Sequence, residues 1–361
     1  MTYTEQDHQH MARALALAAR GLYTTTPNPR VGCVIAKESE VLGEGWHQAA
    51  GLAHAEVIAL RAAGERARGA TLYATLEPCS HHGRTPPCTD ALIAAGITRV
   101  VAAMQDPNPQ VAGSGFARLG EAGIELASGL MEDDARELNI GFVSRMQRGR
   151  PWVRMKIAAT LDGRTALANG QSQWITGVEA RRDGHHFRAR ACAVLTGIGT
   201  VKDDDPQLSV RMVETTRQPL KVLVDSRLEV SHEARIFDGA PVLIATAVEN
   251  EAKFAALRRR GAEVLLLPNS GGKVHLARLF EQLAAKGLNE IHVEAGAKLN
   301  GSLLREGCVD ELLAYFAPAI VGDSGRGMFS LPELTDLGAL RRCRLQEASR
   351  IGDDLRVIAR F

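Results

Sequence analysis

GLAHAEVIAL at 51–60 and PCSHHGRTPPC at 78–88 are the two stretches on which the reading of this chain turns. In each, a turn-forming segment runs into an apolar helical pattern. Val57, Ile58 and Leu60 continue one helix behind His54 and Glu56, and Pro86-Pro87 mark the start of another at Cys88. His54, Cys79 and Cys88 are then three good zinc ligands, and Glu56 is a carboxylate not needed as a ligand. Residues two apart in a helix interior point about 200° away from each other, so His54 and Glu56 converge only in a first turn. There, side chains lean back toward the helix N-terminus. Two helix starts facing one site also favour thiolates and hydroxide through their positive dipole ends.

A catalytic zinc takes three protein ligands and keeps its fourth position for water, whose pKa it lowers to about 7. Such a water can attack an amidine-like ring carbon, and Glu56 is placed to carry a proton to the departing ammonia. H-x-E followed by P-C-x-x-C is the zinc deaminase signature, and the first half and Pro78-Cys79 match it. The cysteine spacing differs. Eight residues separate Cys79 from Cys88, and the loop between them carries Ser80, His81, His82, Gly83, Arg84 and Thr85. A structural zinc would want a fourth ligand, which His81 or His82 could supply. Taken singly, His54 reads equally as a surface histidine and each cysteine as an inert core residue.

A chain of 361 residues with 45% hydrophobic content can fill two ordinary cores. Its 43 Lys and Arg balance 42 Asp and Glu, whereas a polynucleotide partner calls for a basic excess. Arg258-Arg259-Arg260 reads as a solvated helix face. Six cysteines without a secretory segment read as reduced thiols, which places the chain in the cytoplasm. The brief apolar run from Met11 to Arg20 follows Asp7 and His8 and reads as a domain helix rather than a signal peptide. No run reaches the length of a membrane span.

Along the first half, Val31 to Ala36 and Val41 to Trp46 read as a hairpin, His54 to Arg66 as a helix and Ala70 to Leu76 as a strand. A helix over Cys88 to Ala95, strands over Arg99 to Met104 and Ile124 to Ala127, and a helix near Gly115 to Glu121 follow. One further helix runs from Met131 until Gly149 and Pro151 stop it, which sets a boundary between domains at 1–149 and 150–361. Beyond it, strands are expected at Val153–Ala159, Ala193–Thr196, Leu220–Val224, Val242–Thr246, Val264–Leu267 and Ile291–Glu294, with helical stretches between most of them. Gly163 to Gly170 reads as a loop. This alternation predicts a mostly parallel sheet with ligands beyond the strands' carboxyl ends, where Gly197, Gly199, Asp225, Ser226, Glu294 and Gly296 stand. Gly296 ahead of the Leu299 to Leu304 helix can admit a phosphate to backbone N–H groups. No G-x-G-x-x-G follows a strand, so spacing alone gives only a phosphate-ligand domain.

Taken together, the motifs resemble the bifunctional riboflavin-biosynthesis deaminase-reductase family. The resembling stretches are TTPNPRVGCVI at 25–35, GEGWH at 43–47, GLAHAEVIAL, and TLEPCSHHGRTPPCTDALIAAGI at 75–97. MKIAATLDGRTA at 155–166, SQWITG at 172–177, TGIGTVKDDDPQLSVR at 196–211, VDS at 224–226 and HVEAGAKLNGSLL at 292–304 extend it over nearly the whole chain. The resemblance implies a cytidine-deaminase-like three-layer α/β domain followed by a dihydrofolate-reductase-like domain. It implies zinc and NADPH as cofactors and a small pyrimidine ribosyl phosphate as substrate.

Family positions lining the first pocket fall on Asn28, for the ring's polar edge, and on His47, while Arg84 could contact the substrate phosphate. Cofactor contacts fall on Ala158, Trp174, Thr200, Ser226 and Gly296, and reductase substrate contacts on Lys156, Ser172, Arg188, Asp204, Leu208, Arg211 and Glu294. Arg188 and Arg211 are of the type that grips a 5′-phosphate as charge-assisted forks. Asp204 and Glu294 could stabilise a cationic iminium as hydride arrives. A homo-oligomer is compatible with all of this. Two other classes stand beside the reading: a nucleic-acid base deaminase with a non-catalytic appended domain, and a zinc-stabilised regulatory protein. Net charge and cysteine spacing weigh against the first, and Glu56 with an open metal position against the second.

Overall fold

Short runs of small and β-branched apolar residues make the strands of the first half, and two glycines among them fix where the helices sit. The computed structural model describes residues 3–80 and 87–361 and divides into two units, Met1–Gly149 and Arg150–Phe361. In the first, α1 (Glu5–Ala19) precedes the antiparallel pair β1 (Gly32–Lys37) and β2 (Glu40–Trp46), followed by α2 (Ala55–Ala63), β3 (Thr71–Ala74) and α3 (Cys88–Ala95). β4 (Arg99–Ala102), α4 (Ser114–Glu121), β5 (Glu125–Ser128), α5 (Glu132–Leu138) and α6 (Ile140–Arg148) complete it. The sheet order is β2-β1-β3-β4-β5, the last three strands parallel.

A Cβ on Gly32 would stand 1.9 Å from the Ala14 carbonyl oxygen of α1, and one on Gly45 would stand 2.4 Å from the Ala55 carbonyl oxygen of α2. Gly45 pairs with Cys33, the neighbour of Gly32, so the two glycines look out of opposite faces of the sheet. Hence α1 and α2 cover opposite faces, and the unit is a three-layer α/β/α sandwich. Its core gathers Met11 and Leu17 from α1 with Ile35, Leu72 and Val101 from the sheet.

The single helix expected from Met131 to Arg148 is two helices, α5 and α6, broken at Asn139. The Arg30 N–H donates to Asn139 Oδ1 at 2.8 Å, and Asn139 Nδ2 donates to the Arg30 carbonyl at 2.9 Å. Both groups are buried, and this reciprocal pair holds Asn139 at φ −106°, ψ 20°, outside the helix. A long-range contact thereby overrides a local pattern. Gly149 at φ 68° ends α6 as its sequence position requires.

The second unit opens with β6 (Trp152–Thr160), β7 (Arg164–Ala166), α7 (Val178–Arg190), β8 (Ala193–Gly197), α8 (Ile198–Asp204), β9 (Leu220–Val224) and β10 (Val242–Thr246). It continues with α9 (Glu251–Arg259), β11 (Ala262–Leu266), α10 (Leu276–Ala285), β12 (Glu290–Val293), α11 (Ala297–Arg305) and β13 (Glu311–Ala317). β14 (Arg326–Gly327), β15 (Arg344–Ile351) and β16 (Asp354–Arg360) close it. Among the described residues the main sheet runs β11-β10-β9-β8-β12-β6-β13-β16-β15, parallel through β13 and antiparallel at β16 and β15. β8, β10 and β12 are buried along their whole length, as parallel strands covered on both faces must be. Their alternate residues feed two apolar clusters, one with Leu279 and Phe280 of α10 and one with Phe254 and Leu257 of α9.

The stretch Gly163 to Gly170 is not all loop. Arg164–Ala166 is β7, paired with β14 in a small separate sheet. Three residues are too few to show a period of two. β15 is not expected from the sequence either, because RLQEASRI at 344–351 is largely exposed and carries no alternating apolar face. No helix among the described residues is long and apolar enough to cross a membrane.

Candidate functional site

In the first unit His54 is the N-cap of α2 with extended backbone, φ −71° and ψ 160°, and Glu56 is the second residue of that helix. The divergence of i and i+2 in a helix interior therefore does not apply to this pair. Cys88 is the first residue of α3, behind Pro87, and Cys79 lies in the segment after β3. His54 Nδ1 is 3.2 Å from Cys88 Sγ and 3.5 Å from Cys79 Sγ, and the three ligating atoms all lie within 4.8 Å of one another. Zinc bonds of about 2.0–2.3 Å in tetrahedral array require ligand atoms roughly 3.5 Å apart. Two thiolates and one imidazole so placed fit zinc with one position left over. Glu56 is buried beside them and is not one of the ligand group.

The charges follow from these contacts. The bond to Cys88 and then His54 pull the Cys79 thiol down against the effect of burial, while the same bond and burial push Cys88 up. Cys79 raises His54 in turn. Burial, reinforced by the charge of Cys79, pushes the Glu56 carboxyl up. The start of α3 also grips Cys79, since the Cys88 N–H donates to Cys79 Sγ at 3.4 Å and the Thr89 N–H to the Cys79 carbonyl at 3.2 Å.

Asn28 and His47 sit against this cluster. His47 stacks edge-on to His54 with ring centroids 5.7 Å apart. Its Nδ1 lies 3.2 Å from the Ala53 carbonyl, which can only accept, so Nδ1 carries the proton. Nε2 then accepts from Asn28 Nδ2 at 3.0 Å. Burial holds His47 below its ordinary value, in keeping with a neutral ring. Arg84, with His81 and His82, lies outside the described residues.

In the second unit β9, β8 and β12 are adjacent, and their carboxyl ends carry Ser226, the Gly197 start of α8, and Glu294 with the Gly296 start of α11. A Cβ on Gly296 would meet only Thr200 Oγ1, at 3.9 Å, and one on Gly199 would meet nothing within 4 Å. Two open helix starts side by side suit a pyrophosphate. Ser226 Oγ accepts from the Val274 N–H at 3.1 Å. Ala158 lies on the same face of β6 as Lys156. Trp174 is exposed, with the Arg181 guanidinium 4.7 Å over its ring.

The substrate set divides. Arg188 donates from Nε and Nη2 to Glu294 at 2.7 and 2.9 Å, and from Nη1 to the Ser209 carbonyl at 2.6 Å. Burial would raise Glu294, but Arg188, with His292 and Lys156, holds it well below the usual carboxylate range. Burial lowers Lys156, and Glu294 partly opposes that. Burial and Arg188 likewise lower Arg211. Ser172 Oγ donates to Asp204 at 3.5 Å. Leu208 buries its side chain among Val201, Leu223 and Ile244, so its backbone, at φ 54°, is what it can offer a ligand.

Two residues of these sites escaped sequence reading. His185, one turn before Arg188 on α7, accepts the Arg211 N–H at 3.4 Å and is pushed down to about 3 by burial and by Arg188. The i, i+3 spacing to Arg188 was its only signal. Glu77, two residues before Cys79, is buried and accepts four backbone N–H bonds. An acidic residue directly ahead of Pro-Cys was the signal there.

Residues 4–104 match the family described as the cytidine and deoxycytidylate deaminase zinc-binding region, and residues 151–357 match the RibD C-terminal domain. The riboflavin biosynthesis protein RibD of Escherichia coli K12 is 49% identical over 97% of this chain and 98% of its own length. The chain belongs to the RibD family. A RibD structure from Acinetobacter baumannii superposes with a TM-score of 0.92 at 43% identity, covering 99% of each chain. A diaminohydroxyphosphoribosylaminopyrimidine deaminase/5-amino-6-(5-phosphoribosylamino)uracil reductase from Thermotoga maritima superposes at 0.87 with 34% identity, covering 98% of each. As a RibD protein the chain is a bifunctional deaminase and NADP-dependent reductase of riboflavin biosynthesis. Its fold is the expected one, a cytidine-deaminase-like unit followed by a RibD reductase unit.

Proposed function

We propose that the first unit hydrolyses the 2-amino group from 2,5-diamino-6-ribosylamino-4(3H)-pyrimidinone 5′-phosphate, with one zinc ion held by His54, Cys79 and Cys88. Bound there, zinc would lower the pKa of a water in its fourth position to about 7 and so supply the nucleophile. The observation that carries the reading is Glu56, buried beside the three ligands and not one of them. A carboxyl pushed up by burial is the better proton carrier, able to take a proton from the attacking water and pass it to departing ammonia. Asn28 is turned with Nδ2 on His47, which assigns its Oδ1 to the polar edge of the ring. Arg84 is assigned to the substrate phosphate.

The second unit reduces the ribosyl C1 of the deaminated product, opened as an imine, to a ribityl chain. NADPH would supply the hydride, held at Ala158, Trp174, Thr200, Ser226 and Gly296 with its pyrophosphate at the starts of α8 and α11. Lys156, Ser172, Asp204, Leu208 and Glu294 are assigned to the substrate. Arg188 keeps Glu294 ionised in a buried place, so that Glu294 can face a cationic iminium. With the Arg188 fork committed to Glu294, the 5′-phosphate falls to Arg211. No disulfide joins any two of the six cysteines, which supports a reducing, cytoplasmic setting.

The test is one vessel with purified protein, the diaminopyrimidine ribosyl phosphate and NADPH, followed for ammonia and for NADPH oxidation. Equal molar amounts are expected. Ammonia without NADPH oxidation would leave the zinc assignment standing and remove the reductase assignment.

A further inference from the structure

We propose that Glu77 is a positioning residue for the metal centre, clamping the start of α4 beneath the segment that presents Cys79; this rests on the zinc reading above. Glu77 Oε2 accepts the Asp106 and Gly113 N–H groups at 3.1 and 3.0 Å, and Oε1 accepts those of Gly115 and Phe116 at 2.9 and 3.2 Å. The next residue, Pro78, lays its carbonyl oxygen on Gly115, where a Cβ would be 2.0 Å away. Ser80 Oγ then meets Ser114 Oγ at 2.8 Å. Residues 77, 78 and 80 thus each engage the start of α4. Cys79, between them, turns its sulfur toward His54 and Cys88 and is gripped from that side by the N–H groups of α3. One ligand is held between two helix starts, and Glu77 is what binds the second of them.

The chemistry of the clamp is particular to a carboxylate. An ionised carboxyl has about four acceptor sites and no donor, which matches four converging N–H groups. Glutamine has the same shape, one acceptor oxygen and an NH₂ that would aim donors at donors. Freed from α4, the 77–80 segment gains conformations in which the Cys79 sulfur no longer faces the other two ligands. Outer partners of metal ligands commonly change affinity by about 10–100-fold.

The experiment uses the full-length zinc-loaded protein and follows zinc transfer to a chromogenic chelator. Wild type is compared with Glu77→Gln, with Glu77→Asp, and with Asp7→Asn, which weakens the same unit through the Asp7–Arg99 ion pair instead. Glu77→Gln is expected to release zinc about 10–100-fold faster, with Glu77→Asp between it and wild type. Cobalt-substituted Glu77→Gln should show altered thiolate-to-metal absorption, and Asp7→Asn should keep the wild-type spectrum. If Glu77→Gln does not fold, Glu77→Asp carries the same comparison. Release at the wild-type rate overturns the proposal. So does equally fast release from Asp7→Asn at an equal loss of melting temperature. A wild type that binds no zinc overturns the zinc reading as well, whereas a zinc-holding wild type with an unaffected Glu77→Gln overturns the clamp alone.

Discussion

Replacing Arg188 by methionine tests the electrostatics of the second unit directly. The pair it makes with Glu294 is bidentate and has little exposure, 10% for the arginine side chain and 18% for the glutamate. Removing one partner of a buried pair costs about 3–5 kcal/mol, because the charge left behind is neither solvated nor matched. Lys156 stands near Glu294 and softens that loss, so the lower end, about 3 kcal/mol, is expected. For a unit of this size about 2–4 °C of melting temperature is lost per kcal/mol, giving roughly 6–12 °C by calorimetry. In wild type the depressed Glu294 pKa stabilises the fold above the ordinary carboxylate value of about 4.3, and that contribution is lost as pH falls through the folded pKa. Without Arg188 burial is far less opposed, the folded pKa rises, and acid favours the variant. The gap between wild type and Arg188→Met should therefore narrow from pH 7 to pH 4. Adding Glu294→Gln should recover more than half of the loss. A single variant destabilised by less than about 1 kcal/mol, or a double variant no more stable than the single one, would refute the account.

Glu56→Gln should lower ammonia release by about 10²–10⁴-fold while zinc content, read by atomic absorption, stays at wild-type level. Loss of zinc from that variant would make Glu56 a ligand. Cys88→Ser should deplete the metal and abolish deamination, yet leave NADPH-dependent reduction of supplied deaminated intermediate intact if the units fold separately; loss of both activities would show that they depend on each other. Burial alone would raise Asp7, but Arg99, the Thr4 backbone and Tyr73 hold it well below the usual carboxylate range. Its contribution is therefore full at neutral pH and lost in acid, so the melting-temperature gap between wild type and Asp7→Asn should shrink as pH is lowered from 6 to 2. A gap constant with pH would mean that the pair adds nothing through its charge.

Much of the fold was legible because its strands are short, apolar and punctuated. The hairpin at β1 and β2 and the parallel strands from β8 to β12 lie within a residue or two of their sequence positions. Reading failed where a distant partner decides. Asn139 breaks a helical pattern only because Arg30, far away in sequence, offers it two backbone bonds. β7 exists only because β14 pairs with it, and β15 only because β16 does.

The chemistry divides in the same way. Ligand types and their spacing determined where a metal centre is to be sought, since thiolate, imidazole and a spare carboxylate are properties of residues, and the N-cap that joins His54 to Glu56 is local in sequence. The chain alone also pointed to Lys156, Arg188, Asp204, Arg211 and Glu294 in the second unit, though not to His185. Only the tertiary structure decided how those groups divide their work. It commits the Arg188 fork to Glu294, sets His185 beneath Arg211 as an acceptor, buries the Leu208 side chain, and gathers the Asp106 N–H and three N–H groups of a later helix start onto Glu77. Each of these depends on burial and on contacts between residues far apart in sequence. Burial removes the water that would otherwise satisfy such groups separately, and so makes the particular partner matter.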